Sequence, residues 1–151
     1  MSNTLVADNV GLGILLQPTG SATAVFNRIE VNNNGSSGIF VDGSTSASSN
    51  TINATVFESV AAGNVGDGFF SNTQAGQAPT SVMVFHSVAA NNINGVAANG
   101  TGATLRLANS TVTGNIRGWR VISSGVLNSY GDNYIDGNGA NLGILTSISR
   151  Q

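Results

Sequence analysis

The chain has 151 residues, 40% of them hydrophobic and 8% charged, with five arginines, no lysine and a formal net charge of −2. That length supports one domain, residues 1–151, with a buried core, and the apolar content excludes an intrinsically disordered chain. The missing basic surface argues against nucleic acid or an anionic membrane as partner, no apolar run is long enough to span a bilayer, and the absence of cysteine removes disulfides and zinc–thiolate sites.

Twenty glycines and only two prolines punctuate short runs of Val, Ile, Phe and Ala. This is strand-and-turn patterning, and no helical period persists over a useful length. In chain order the first unit reads Thr4-Leu-Val-Ala-Asp-Asn9-Val-Gly-Leu-Gly13-Ile-Leu-Leu, and a looser copy runs from Ile29 to Gly38. The third, Ser59-Val-Ala-Ala-Gly-Asn64-Val-Gly-Asp-Gly68-Phe-Phe-Ser, matches the first position for position. The fourth and fifth, around Asn92 and Asn115, have one residue fewer before their glycines Gly95 and Gly118. A sixth, from Asn133 to Gly143, reads as having one extra residue in its turn.

Asn9, Asn34, Asn64, Asn92, Asn115 and Asn138 therefore recur at spacings of 25, 30, 28, 23 and 23 residues. Fixed strands separated by variable loops describe a solenoid. A side-chain amide donates and accepts at once, so stacked asparagines satisfy one another. With the ladder asparagine as position 0, position −3 holds Val6, Val31, Ala61, Ala89, Val112 and Ile135, and position −5 holds Thr4, Ile29, Ser59, Ser87, Ser110 and Asn133. Both columns are predicted to face inward. Positions −8 and −10 (Phe26/Ala24, Val56/Ala54, Val84/Val82, Leu107/Leu105) make a second inward strand, and Ile14, Ile39, Phe69, Val96, Trp119 and Ile144 open a third. The expected fold is all-β: a single-stranded right-handed parallel β-helix of about six coils, rising ~4.8 Å each, with an internal Asn ladder.

The segment Asn53–Gly139, above all Asn109-Ser-Thr-Val-Thr-Gly-Asn115 and Ser129-Tyr-Gly-Asp-Asn-Tyr-Ile-Asp-Gly-Asn138, resembles the C-terminal coils of bacterial right-handed parallel β-helix repeat proteins of the pectate-lyase-like superfamily. The resemblance implies the fold and a secreted or cell-surface setting, although this sequence shows no signal peptide. The clustered aspartates and neighbouring lysine or arginine of the related lyases and galacturonases have no match here, so the resemblance carries over no reaction.

Chemistry is sought on the outward columns. Position −6 holds Asn3, Arg28, Glu58, His86, Asn109 and Asp132, and position −4 ends in Tyr134. Arg28, Glu58, His86, Asp132 and Tyr134 are the candidate ligand-binding residues, a polar strip with an aromatic platform suited to a polysaccharide. The bland reading is solvated side chains, including an exposed Arg28–Glu58 ion pair. If the strip is catalytic, Glu30 and Glu58, roughly 8 Å apart by strand geometry, would serve with His86 in an inverting glycosidase arrangement. A Ser-His-acid triad fails because Ser59, Ser87 and Ser110 face inward, away from His86, the one histidine. No metal site and no cofactor are expected; Asp132 and Asp136 stand ~13 Å apart along a strand.

A second outward column, Leu15, Phe40, Phe70, Ala97, Arg120 and Leu145, contains an apolar stripe predicted to lie under the Asp42–Asn53 loop or in a subunit contact. Open edges at the terminal coils favour a homo-oligomer. The leading functional expectation is a non-enzymatic scaffold or binding module, recognising carbohydrate or self-associating; the alternative is a carbohydrate-active enzyme, a glycoside hydrolase or lyase.

Overall fold

The computed structural model describes residues 1–150. It is a parallel β-solenoid of six coils, with no α-helix among the described residues. The first coil contains β1 (Ser2–Ala7) and β2 (Ile14–Leu16), and the second contains β3 (Ala22–Asn32) and β4 (Ile39–Asp42). Coils three to six have three strands each: β5 (Ile52–Phe57), β6 (Val60–Ala62) and β7 (Asp67–Asn72); β8 (Thr80–Phe85), β9 (Val88–Ala90) and β10 (Asn94–Asn99); β11 (Ala103–Ala108), β12 (Thr111–Thr113) and β13 (Arg117–Ile122); β14 (Val126–Ser129), β15 (Tyr134–Asp136) and β16 (Ala140–Leu142). A last strand, β17 (Leu145–Ser147), lies beside β14. First and second strands form one 11-stranded sheet, because β1 and β3 run through the corner between them, and third strands form a six-stranded sheet.

The asparagine ladder is continuous. Each Oδ1 accepts the backbone N–H and the Nδ2 of the asparagine one coil earlier, as Asn92 Oδ1 does from Asn64 at 3.0 and 2.9 Å. The second proton of Asn64 Nδ2 goes to the carbonyl of Val31 at 3.0 Å. The same set recurs at Asn34, Asn92 and Asn115, so these four ladder amides are satisfied in the interior.

A second ladder occupies position −5. The N–H groups of Ile29, Ser59, Ser87 and Ser110 donate to Ser59, Ser87, Ser110 and Asn133 of the following coil, at 3.1, 3.1, 3.0 and 2.9 Å. Each serine hydroxyl passes its own proton to the carbonyl two residues back. Between the two ladders Val31, Ala61, Ala89 and Val112 are fully buried, as are Val56, Val84 and Leu107 of the first strands and Ile39, Phe69 and Val96 of the third. Each large apolar side chain buried in this way stabilises the fold by about 1.5–3 kcal/mol.

Two left-handed corners turn each of the first five coils, and of the two the sixth keeps only the one at position −1. Position −1 (Asp8, Asn33, Gly63, Asn91, Gly114, Gly137) and position −6 (Asn3, Arg28, Glu58, His86, Asn109) all have φ between 47° and 68°. The −6 corner is why −8 and −5 both face inward although an even number of residues separates them: positions −7 and −6 both point out. The turn glycine answers a different need. A Cβ at Gly68 would stand 2.6 Å from the carbonyl oxygen of Gly95 in the next coil, so backbone proximity excludes a side chain.

The sixth coil departs from the expected pattern. Its turn is short rather than extended: Ala140 and Leu142 pair with Arg117 and Arg120, and Asn141 meets the column of turn glycines. Gly143, at φ 83°, then takes the chain out of the third sheet. Ile144 is therefore 77% exposed instead of inward, and Leu145 pairs with Leu127 in the other sheet rather than extending the apolar stripe. Trp119 packs against the core and donates its indole N–H to the Gly143 carbonyl at 3.1 Å.

Candidate functional site

Arg28, Glu58 and His86 sit at left-handed corners, with φ of 54°, 48° and 49°. Asparagine adopts this conformation readily, as Asn3 and Asn109 do in the same column, whereas other L-residues are disfavoured there by about 1–2 kcal/mol. The corner throws position −7 outward as well. Phe57 and Phe85 therefore flank Glu58 and His86 on the outer face.

These side chains form a stack. Phe57 and Phe85 lie in register on β5 and β8 with ring centroids 5.4 Å apart and planes within 11°. His86 lies over Phe85 at 4.1 Å. Its Nε2 is 2.7 Å from the side-chain amide Nδ2 of Asn109 in the next coil.

Beyond Phe85 the outer face opens into a groove of about 1120 Å³ over coils four to six. Its floor and walls include Met83, Phe85, Arg106, Asn128, Tyr130 and Asp132, and the segment from Ser147 to Arg150 closes one side. The register explains the layout: Met83, Arg106 and Asn128 form one column, and Phe85 and Ala108 lead to Tyr130 in the next. Arg106 is steadied by Ser81, to whose Oγ it donates at 2.8 Å. Asp132 pairs with Arg150. The backbone N–H of Asn109, and then Arg150, hold the Asp132 carboxyl below the usual carboxylate range against the opposing effect of desolvation. A carboxyl ionised so readily is a hydrogen-bond acceptor, poorly suited to donating a proton to a leaving group.

The structure brings Glu58 and His86 next to the aromatic stack and sets Asp132 in the groove. Tyr134 stands at the start of β15, 77% exposed and away from the groove lining. Glu30 is on the outer face of β3, in register with Val60. The expected Arg28–Glu58 ion pair is not formed: among the described residues the salt bridges are Arg120–Asp67 and Arg150–Asp132. Two solvated side chains gain too little from pairing to offset the rotamer freedom they would lose. Among the described residues no three His, Asp or Glu side chains converge as metal ligands, and no helix is long and apolar enough to cross a membrane.

The stripe on the opposite sheet contains Leu15, Phe40 and Phe70, aligned on β2, β4 and β7. Phe40 and Phe70 stack at 4.6 Å, and Leu15 is 46% exposed. Arg120, not the Asp42–Asn53 loop, lies over Phe70, its guanidinium carbon 5.2 Å from the ring centre. The loop instead bonds to neighbouring corners, Thr45 to the Pro18 carbonyl and the Ser46 carbonyl to the Ala78 N–H.

Sequence reasoning missed Phe57, Phe85 and Tyr130, although identical phenylalanines one position before the −6 column were a readable signal. It also missed a third ladder, Gln17–Asp42–Asn72–Asn99, at the ends of the third strands. There Asp42 is buried, and four hydrogen bonds from Ser44, Asn72 and Gln17 lower its pKa despite the opposing effect of desolvation. Comparison with family models, with curated proteins and with solved structures gives no match to this chain.

Proposed function

We propose that this solenoid is a non-enzymatic binding module that recognises carbohydrate on the outer face of its first strands. The observation that carries the reading is the Phe57–Phe85–His86 stack opening directly into a groove lined by Arg106, Asn109, Asn128 and Asp132. Flat aromatic faces offer apolar contact to the C–H faces of a sugar, and surrounding amide, guanidinium and carboxylate groups match its hydroxyls. A groove running along stacked coils suits an extended chain better than a compact ligand. Kinship with the pectate-lyase-like superfamily is part of this proposal and supplies the expectation of an extracellular polysaccharide.

The test is a panel of neutral and acidic polysaccharides assayed for both binding and cleavage, with Phe85→Ala and Tyr130→Ala for the groove and Glu58→Gln for the enzymatic alternative. Binding lost in the two aromatic variants, with no cleavage by any form, is the expected result. Cleavage abolished by Glu58→Gln would replace this reading with a hydrolase or lyase.

A further inference from the structure

The outward column that carries Phe57 and Phe85 lacks a ring in the fifth coil. Phe57, Phe85 and Ala108 follow one another in register on β5, β8 and β11. The Tyr130 N–H donates to the Leu107 carbonyl at 3.1 Å, which sets Tyr130 one coil beyond Ala108. Phe85, Ala108 and Tyr130 all line the groove. A methyl group thus stands between two six-membered rings, and Ala108, only 5% exposed, is the floor of a notch between them.

One wall of the notch is an open aromatic face. Phe57 and His86 lie 5.4 and 4.1 Å from Phe85 but only 5.9 Å from each other. Rings packed on opposite faces of Phe85 would stand roughly 7 Å apart or more, twice the carbon–carbon contact distance. Phe57 and His86 therefore share one face of Phe85, on the side of coil three, and the other face is turned toward Ala108. In keeping with this, Phe85 lines the groove and neither Phe57 nor His86 does.

The notch has the depth of one ring. Phe85 and Tyr130 are two coils apart, roughly 9.6 Å along the solenoid, and a puckered ring in carbon contact on both faces needs roughly 8 Å. Its sides are polar. Arg106, two residues before Ala108 on the same outer face and held by Ser81, stands on one side, and Asn109 on the other. A ligand ring suited to this place is apolar on both faces and polar around its rim.

Resting on the reading that the groove binds carbohydrate, we propose that the notch over Ala108 takes one pyranose whose hydroxyls are all equatorial, and so selects glucose-configured chains over galactose- or mannose-configured ones. Such a ring turns only C–H bonds toward Phe85 and Tyr130 and presents its hydroxyls to Arg106 and Asn109. The glycosidic bonds of a β-1,4 glucan are equatorial too and leave at the rim. An axial hydroxyl would be pressed against an aromatic face with no hydrogen-bond partner.

Calorimetric titration with β-1,4-linked hexamers of glucose, galactose and mannose tests the selection on the unaltered chain. The glucose hexamer is expected to bind at least tenfold tighter than the other two. Ala108→Phe, which fills the notch, should weaken that binding at least tenfold, with circular dichroism checking its fold; the comparison of hexamers does not depend on the variant. Equal affinity for the three hexamers, binding confined to other polysaccharides, or a folded Ala108→Phe that binds the glucose hexamer like the parent would overturn the inference and leave the groove reading in place. Failure to bind any glycan would overturn both.

Discussion

Arg120 reaches back over the whole of coil four to Asp67, 53 residues earlier in the chain, with Nη2 2.9 Å from Oδ2. The register puts Ala97 between Arg120 and Phe70, and Ala97 is completely buried in the third-strand sheet beneath this span. One side chain thus ties the third coil to the fifth and covers an aromatic ring.

Replacing Arg120 with methionine keeps most of the apolar stem and removes the charge. Asp67, whose side chain is only 6% exposed, keeps its bond from Asn94 but loses its ion partner. The expected loss is about 3 kcal/mol, toward the lower end of what breaking a buried pair costs because Arg120 itself is 22% exposed. Urea denaturation of the variant beside the parent measures it; a change under 1 kcal/mol would show that the pair is solvent-screened.

Asn64→Leu interrupts the principal ladder at its middle. The N–H and amide of Asn34 and the Val31 carbonyl lose their partner at once, and Asn92 Oδ1 loses one of its two donors, keeping the backbone N–H of residue 64. At about 1–3 kcal/mol for each buried group left unsatisfied, this substitution should cost several kcal/mol and give partly folded material in proteolysis. Gly68→Ala tests the neighbouring column: the added methyl meets the Gly95 carbonyl at 2.6 Å, and about 1–3 kcal/mol of overpacking is expected in the same assay.

Asp42 gives the fold an acid sensitivity. Its folded pKa lies below the unfolded value near 3.9, so its contribution is fully present above that value and disappears as pH falls through the lower, folded pKa. Denaturation midpoints from neutral pH into the acid range should fall more steeply for the parent than for Asp42→Asn. Equal slopes would mean that other carboxyl groups account for the acid response.

Glu58→Asn should make the protein more stable. At φ 48° the asparagine relieves a strained corner, by roughly 0.5–1 kcal/mol, without touching the core. Thermal melts of Glu58→Asn and Arg28→Asn read the effect directly. A gain in stability accompanied by weaker polysaccharide binding would show that the strain is kept for the site.

The ladder, the inward columns and the strand order were legible because a parallel solenoid stacks each position on its own repeat, so one-dimensional periodicity becomes contact. The same logic failed wherever the repeat broke. Gly143 looked like a turn glycine, but the short turn before it puts Asn141 in that place and sends Leu145 to Leu127.

The candidate site was only half readable. His86 and Glu58 were found as polar members of one column, but their φ values, and with them the outward turn of Phe57 and Phe85, depend on a corner that alternation alone does not encode. Sequence by itself determined what repeats: the amides, the small hydroxyls and the glycines that close backbone approach requires. Tertiary structure decided what crosses between repeats, such as Arg120 reaching Asp67 and the C-terminal segment lying along the groove. Periodicity constrains equivalent positions one coil apart, whereas a long side chain or a loop reaches positions that no repeat relates.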